Sequence, residues 1–205
     1  MSENGERPDG AGPIVDTMRR DRRALEVEAV MARTERTGAA PRVHRVIDSP
    51  VGRLTLVATA DGLAGVLWQN DRPGRRPFDI GREDPEHPLL VEAAEQLREY
   101  FAGRRKAFAL PLDMAGTAFQ RRVWGALLTI PYGETRSYGD VARQIGHPGA
   151  VRAVGAANGR NPVSIVAPCH RVIGADGSLT GFGGGLDVKA RLLALEGIRT
   201  AGLRF

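Results

Sequence analysis

Strand-like and helix-like patterns fall in different stretches of this chain, and that division most limits what it can fold into. Between residues 42 and 68, short runs rich in apolar and β-branched residues alternate with turn residues. Val43, Arg45 and Ile47 come first, then residues 54–59, then 63–68. The breaks are Asp48-Ser49-Pro50-Val51-Gly52 and Asp61-Gly62, and Asp-Gly between apolar runs is a hairpin signal. Residues 70–88 are full of Pro, Gly and charge and read as a long loop. Leu89, Leu90, Ala93, Ala94, Leu97 and Phe101 then recur at helical spacing up to Gly103, which predicts a helix over 88–102. Residues 108–112 read as a last short strand. This part of the chain is a small α+β unit.

The pattern changes after Leu112. Residues 117–130 place Phe119, Val123, Trp124, Leu127 and Leu128 on one helical face, and Pro131-Tyr132-Gly133 stops that helix. Ser137 is positioned to cap a helix over 138–145. A glycine-bounded turn at 146–149 leads to another short helix over 150–158. Two short helices joined by a tight glycine-containing turn fit a helix-turn-helix, a pattern many helical hairpins share. Asn161-Pro162, an apolar run over 163–167, a cysteine segment, an Asp176-Gly177 hairpin turn and a closing helix over 187–195 complete the chain. The expected organisation is an extension over 1–41, a domain over 42–112 and a domain over 113–205. The extension reads as poorly packed, with one charged helix over 14–36 whose apolar stripe is ragged.

Charge divides along the chain in the same way. Residues 1–112 hold 18 basic and 18 acidic side chains, whereas 113–205 hold 11 and 6, so the whole surplus of +5 is C-terminal. A basic half points to a polyanionic partner, although +5 alone also fits an ordinary soluble surface. No apolar run reaches the length of a membrane span, and the N-terminus lacks an apolar signal core, so a cytoplasmic protein with no membrane partner is expected. The single cysteine excludes an internal disulfide and a multi-cysteine zinc site.

That cysteine, Cys169, lies in Val166-Ala167-Pro168-Cys169-His170-Arg171-Val172-Ile173-Gly174. Imidazole and guanidinium beside a thiol favour the thiolate, which is the nucleophilic form. A lone cysteine is more often a small buried hydrophobe, and the flanking residues reverse that preference. The run from Pro168 to Ile173 resembles the active-site signature of the O6-alkylguanine-DNA alkyltransferases, also called methylated-DNA–protein-cysteine methyltransferases. Arg152-Ala153-Val154-Gly155, Asn161-Pro162, Thr135-Arg136-Ser137-Tyr138-Gly139, Thr180-Gly181-Phe182-Gly183-Gly184-Gly185 and Leu195-Glu196-Gly197 are similar to further motifs of the same family. The resemblance spans about 42–197 and is strongest from Gly116 onward.

The resemblance implies an α+β fold: a small ribonuclease-H-like N-terminal domain and a winged-helix-like, helix-turn-helix DNA-binding domain. It implies irreversible transfer of an alkyl group from O6 of guanine in double-stranded DNA to Cys169, with O4 of thymine as a second candidate. His170 would be the base and Glu196 the orienting acid of the relay. Adjacent residues in a strand point to opposite faces, so Cys169 and His170 can cooperate only if the chain bends there. Tyr138 would sit at the pocket mouth. Arg152 would be the finger that fills the space left by a flipped nucleotide, on a helix whose Ala153 and Gly155 allow close approach to DNA. Asn161 would tie that helix to the active-site segment. Val172, Phe182, Gly183 and Lys189 would line or adjoin the pocket. The family often carries tyrosine and serine where this chain has Phe182 and Gly183, which implies a roomier pocket here. No metal or organic cofactor is implied. A monomer is expected, with cooperative assembly on DNA left open.

Two other classes compete. A non-catalytic alkyltransferase-like protein would bind lesions without chemistry, but those relatives replace the reactive cysteine. A helix-turn-helix regulator would leave the cysteine motif and the glycine run unexplained.

Overall fold

The computed structural model describes residues 41–71 and 79–199. The helix expected over 14–36 lies outside these residues. The strand signals of the N-terminal part produce an antiparallel meander of β1 (Val43–Ile47), β2 (Leu54–Thr59) and β3 (Gly62–Trp68). The first residue of β3 is a glycine because a Cβ at position 62 would meet Pro111 O at 2.7 Å. A fourth strand, β4 (Arg82–Glu83), pairs parallel with β1, giving the order β3-β2-β1-β4. The loop expected over 70–88 therefore contains a short strand, made by pairing with Val43 and His44 rather than by any pattern of its own.

The predicted helix is α1 (Pro88–Phe101), with Pro at its start. It buries Leu90, Ala93, Leu97 and Tyr100 against the sheet. Burial of each large apolar side chain contributes about 1.5–3 kcal/mol. The strand expected over 108–112 does not form: only an isolated parallel bridge joins Leu63 to Leu112. Buried Gln96 captures this segment instead. Ala109 N donates to Gln96 Oε1 at 2.8 Å, and Gln96 Nε2 donates to Ala109 O at 3.2 Å.

Beyond Gly116 the helices are α2 (Ala118–Leu128), α3 (Tyr138–Gln144), α4 (Val151–Gly159) and α5 (Leu186–Leu195). Thr117 with Gln120, and Ser137 with Asp140, form reciprocal capping boxes at α2 and α3. Trp124 of α2 donates its indole N–H to Ala157 O of α4 at 2.9 Å, fixing the helices around the α3–α4 turn. Two-residue strands β5 (Arg136–Ser137) and β6 (Val172–Ile173) pair in parallel. The Asp176-Gly177 turn closes on itself through Gly174 N to Ser178 O at 2.8 Å. Among the described residues no strand follows it, so the expected hairpin is only a turn.

One hydrophobic core runs through both halves, from Leu54 and Tyr100 to Val154 and Leu192. Hydrogen bonds cross between them: Val66 N donates to Pro162 O at 2.9 Å, and Trp68 Nε1 donates to Ser164 Oγ at 3.2 Å. Among the described residues, no helix is long and apolar enough to cross a membrane.

Candidate active site

Cys169 follows the buried apolar run 163–167 and opens a 3-10 turn, Cys169–Arg171. The chain thus bends at the point where a continuous strand would have sent Cys169 and His170 to opposite faces. Arg171 N donates to Pro168 O at 3.0 Å, and Cys169 N donates to Ala167 O at 2.8 Å. Ile165, fully buried, has a φ of 73°. A β-branched residue in that region stores about 1–3 kcal/mol of strain and persists only where its surroundings hold it. Asn161 is one such holder: its Nδ2 donates to Ala167 O at 2.7 Å, and its Oδ1 accepts from Val163 N at 3.1 Å. The residues just after α4 are thereby locked to the residues just before the cysteine.

His170 and Glu196 are buried, and His170 Nε2 donates to Glu196 Oε1 at 2.8 Å. That assignment follows from facing a carboxylate. Arg171 grips the same carboxylate from two nitrogens, Nε to Oε2 at 2.8 Å and Nη2 to Oε1 at 2.9 Å. Its Nη1 donates to Ile130 O at 2.6 Å. Tyr100 adds its hydroxyl to Oε1 at 2.7 Å, and Gly133 N donates to Oε2 at 3.2 Å. Burial opposes ionisation of Glu196, but the hydrogen bonds from His170 and Arg171 outweigh it and hold the carboxyl at about 2. Burial lowers the pKa of His170 by more than its Glu196 partner raises it, so the resting imidazole is neutral. His170 Nδ1 is buried and has no hydrogen-bond partner among the described residues, and with Nε2 donating to Glu196 its lone pair is unengaged.

Cys169 is only 2% exposed. Tyr138 and Lys189 both lie near enough for a charge on Cys169 to act on them. Lys189 is fully buried and donates to Val172 O at 2.6 Å and Thr180 O at 2.9 Å. Burial brings its pKa down to about 8, with Cys169 opposing the shift. Tyr138 OH donates to the same Thr180 carbonyl at 3.2 Å. A groove of about 410 Å³ opens here, lined by Tyr138, Arg152, Gly155, Thr180, Phe182 and Gly183 among others. A larger concavity, about 530 Å³, lies between β1 and α1 and shares no residue with the site.

The structure thus gathers Cys169, His170 and Glu196 from the 3-10 turn and the end of α5. Arg152 and Ala153 are exposed on α4, while Gly155 faces Tyr138, 3.8 Å from where its Cβ would stand. Phe182 is buried edge-on against Trp68, with ring centroids 5.4 Å apart. Val172 and Lys189 do not line the groove: Val172 is fully buried and presents its carbonyl to Lys189. Sequence reasoning missed Tyr100, which comes from α1 in the other half of the chain. It also assigned nothing to Asn158, whose Nδ2 donates to Cys169 O at 3.4 Å. A buried polar side chain three residues before Asn161-Pro162 was the available signal.

Two family models match the chain: the ribonuclease-like domain of 6-O-methylguanine DNA methyltransferase over residues 43–114, and its DNA-binding domain over 118–198. Methylated-DNA–protein-cysteine methyltransferase of Mycolicibacterium paratuberculosis is 56% identical over 155 residues, which is 75% of this chain and 91% of that protein. The constitutive Bacillus subtilis protein of that name is 48% identical, covering 76% of this chain and 95% of its own length. The crystal structure of Mycobacterium tuberculosis OGT in complex with DNA superposes with a TM-score of 0.69 at 52% identity, over 75% of this chain and 92% of that one. The chain belongs to the 6-O-methylguanine DNA methyltransferase family, and its fold is the two-domain α+β fold of that family.

Proposed function

We propose that this protein repairs DNA by moving the alkyl group of O6-alkylguanine onto its own Cys169, once per polypeptide. The observation that carries the reading is a cysteine held in a bent turn beside a buried, neutral imidazole whose far nitrogen is anchored on Glu196. His170 takes the thiol proton at Nδ1, and the Cys169 thiolate attacks the alkyl carbon. The S–C bond forms as the C–O6 bond breaks, and its electron pair goes to the purine, which takes up a proton as it leaves. Atoms balance without a co-reactant. The thioether is stable, so the reaction ends there.

The substrate base must leave the duplex to reach a cysteine this deeply set. The groove between α4 and the 180–183 loop receives it, with Tyr138 at the mouth. Arg152, exposed at the start of α4, enters the duplex in its place, while Ala153 and Gly155 let the helix approach the groove floor. Asn161 keeps α4 and the cysteine segment in register. Lys189 holds the pocket loop through Thr180 O. The protein works as a monomer in the cytoplasm, where a thiol nucleophile stays reduced. The units of function are an N-terminal domain over 42–112 and an active-site domain over 113–205. Intact-protein mass after incubation with O6-methylguanine duplex tests this: one methyl on Cys169 is expected, and an unmodified folded protein overturns the reading.

A further inference from the structure

We infer that Tyr100, contributed by the N-terminal half, is a positioning residue for alkyl transfer that sets the proton affinity of His170 through Glu196. The inference rests on the alkyltransferase reading above. Three features carry it.

The first is the geometry. Tyr100 is fully buried, and its hydroxyl donates at 2.7 Å to Oε1 of Glu196, the same oxygen that accepts from His170 Nε2 at 2.8 Å. The Tyr100 oxygen lies 3.5 Å from His170 Nε2, too long for a strong bond, so its action on the imidazole passes through the carboxylate. The second is the direction of donation. Burial pushes the Tyr100 hydroxyl far above the usual phenol range, so it stays protonated and can only donate to this anion. The third is redundancy. Arg171 and Gly133 N already occupy Glu196, so holding the carboxylate in place does not depend on the Tyr100 hydroxyl. What the phenol adds is a hydrogen bond on the oxygen that faces the base.

The consequence has a definite sign. A donor on Oε1 draws negative charge away from the His170 contact. Without it the carboxylate is more basic and stabilises imidazolium more strongly, so His170 titrates at higher pH. The groups facing His170 and Glu196 are Arg171 on the same turn, Lys189 on α5, Tyr100 on α1 and Tyr132 before β5. Tyr132 packs edge-on against Tyr100 with centroids 6.2 Å apart, and Lys106 lies 5.7 Å from the Tyr132 ring centre. Tyr100→Phe removes only its own hydroxyl, leaves the other groups in place and keeps the ring contacts with Phe101 and Phe108.

The experiment measures the second-order rate of Cys169 alkylation by free O6-benzylguanine against pH, for wild type and Tyr100→Phe. The free base removes DNA binding and base extrusion from the comparison. The acid limb should move upward by about one pH unit, a loss of about tenfold below the limb, with rates within about twofold above it. The His170 ring titration, followed by NMR in the same two proteins, should move in the same direction. A uniform rate loss with an unmoved limb would mean that Tyr100 is a packing residue, and superimposable profiles would remove any role for it. If wild type itself forms no adduct on Cys169, the alkyltransferase reading fails instead. Tyr132→Phe, a ring beside Tyr100 that makes no bond to Glu196, should leave the limb where it is.

Discussion

Phe182 stands edge-on to Trp68 with ring centroids 5.4 Å apart, so the end of β3, an edge strand of the N-terminal sheet, forms one wall under the pocket loop. Gly184 presses on the same indole: a Cβ there would come within 2.9 Å of the ring. The indole N–H also reaches Ser164 Oγ, in the segment that leads to Cys169. Trp68→Phe should therefore destabilise the protein by about 1–3 kcal/mol, because it leaves a buried hydroxyl without its donor and removes ring contact. It should also slow alkyl transfer. Urea melts and single-turnover rates read both, and an unchanged transfer rate would detach Trp68 from the pocket.

Cys169→Ser should abolish the methyl adduct and leave affinity for DNA within about twofold, since Cys169 is buried and away from the exposed face of α4. Mass spectrometry and a binding titration on the same preparation decide it. An adduct on any other residue contradicts the proposed nucleophile.

Arg152 separates base extrusion from simple binding. Unstacking costs a few kcal/mol, and each ~1.4 kcal/mol left uncompensated is about tenfold in rate. Arg152→Ala should lower the duplex rate at saturating DNA by tenfold or more and change the rate with O6-benzylguanine little. Arg152→Lys keeps the charge without the planar fork. If the ratio of the two rates is the same in wild type and both variants, Arg152 is a surface residue.

Glu196 ties acid stability to the site. Its carboxyl is depressed from 4.5 to about 2, so its contribution is complete above about pH 4.5 and is lost as pH falls through about 2. The span corresponds to about 3 kcal/mol. Glu196→Gln should flatten the stability curve across that window. At neutral pH it should cost about 3–5 kcal/mol by leaving Arg171 buried without its counter-charge. Parallel urea midpoints for the two proteins from pH 5 down to about pH 2 would show that the depression is absent.

The excess of basic residues beyond Leu112 should make DNA affinity fall as salt rises, with slight dependence on flanking sequence. A strong preference for one operator-like sequence would favour a regulator.

The strands and helices legible in the sequence are those whose own period carries the signal. Residues 54–59 and 63–68 alternate or run apolar between turn residues, and α1 and α2 repeat apolar residues at helical spacing. β4 and β5 are two residues each and exist because β1 and β6 offer them partners, which no local pattern announces. Residues 108–112 had a strand's composition, but the Gln96 side chain takes the backbone of Ala109 and the segment meets β3 only at the single Leu63–Leu112 bridge. In the site, the cysteine motif was legible from adjacent residues. Tyr100 was not, because it shares the buried face of α1 with Leu97 and meets its partner 96 positions later.

Glu196 has the last word on where the proton travels. Both of its oxygens are engaged by donors, and the hydrogen bonds from His170 and Arg171 outweigh burial and hold its carboxyl at about 2. It behaves as a fixed counter-ion and takes no proton onward. In the proposed transfer, the thiol's proton therefore goes no further than the imidazole ring, and its one productive exit from there is back toward the departing purine. The buried carboxylate makes the site a dead end for protons on one side, which suits a protein that needs to pass a single proton in a single reaction.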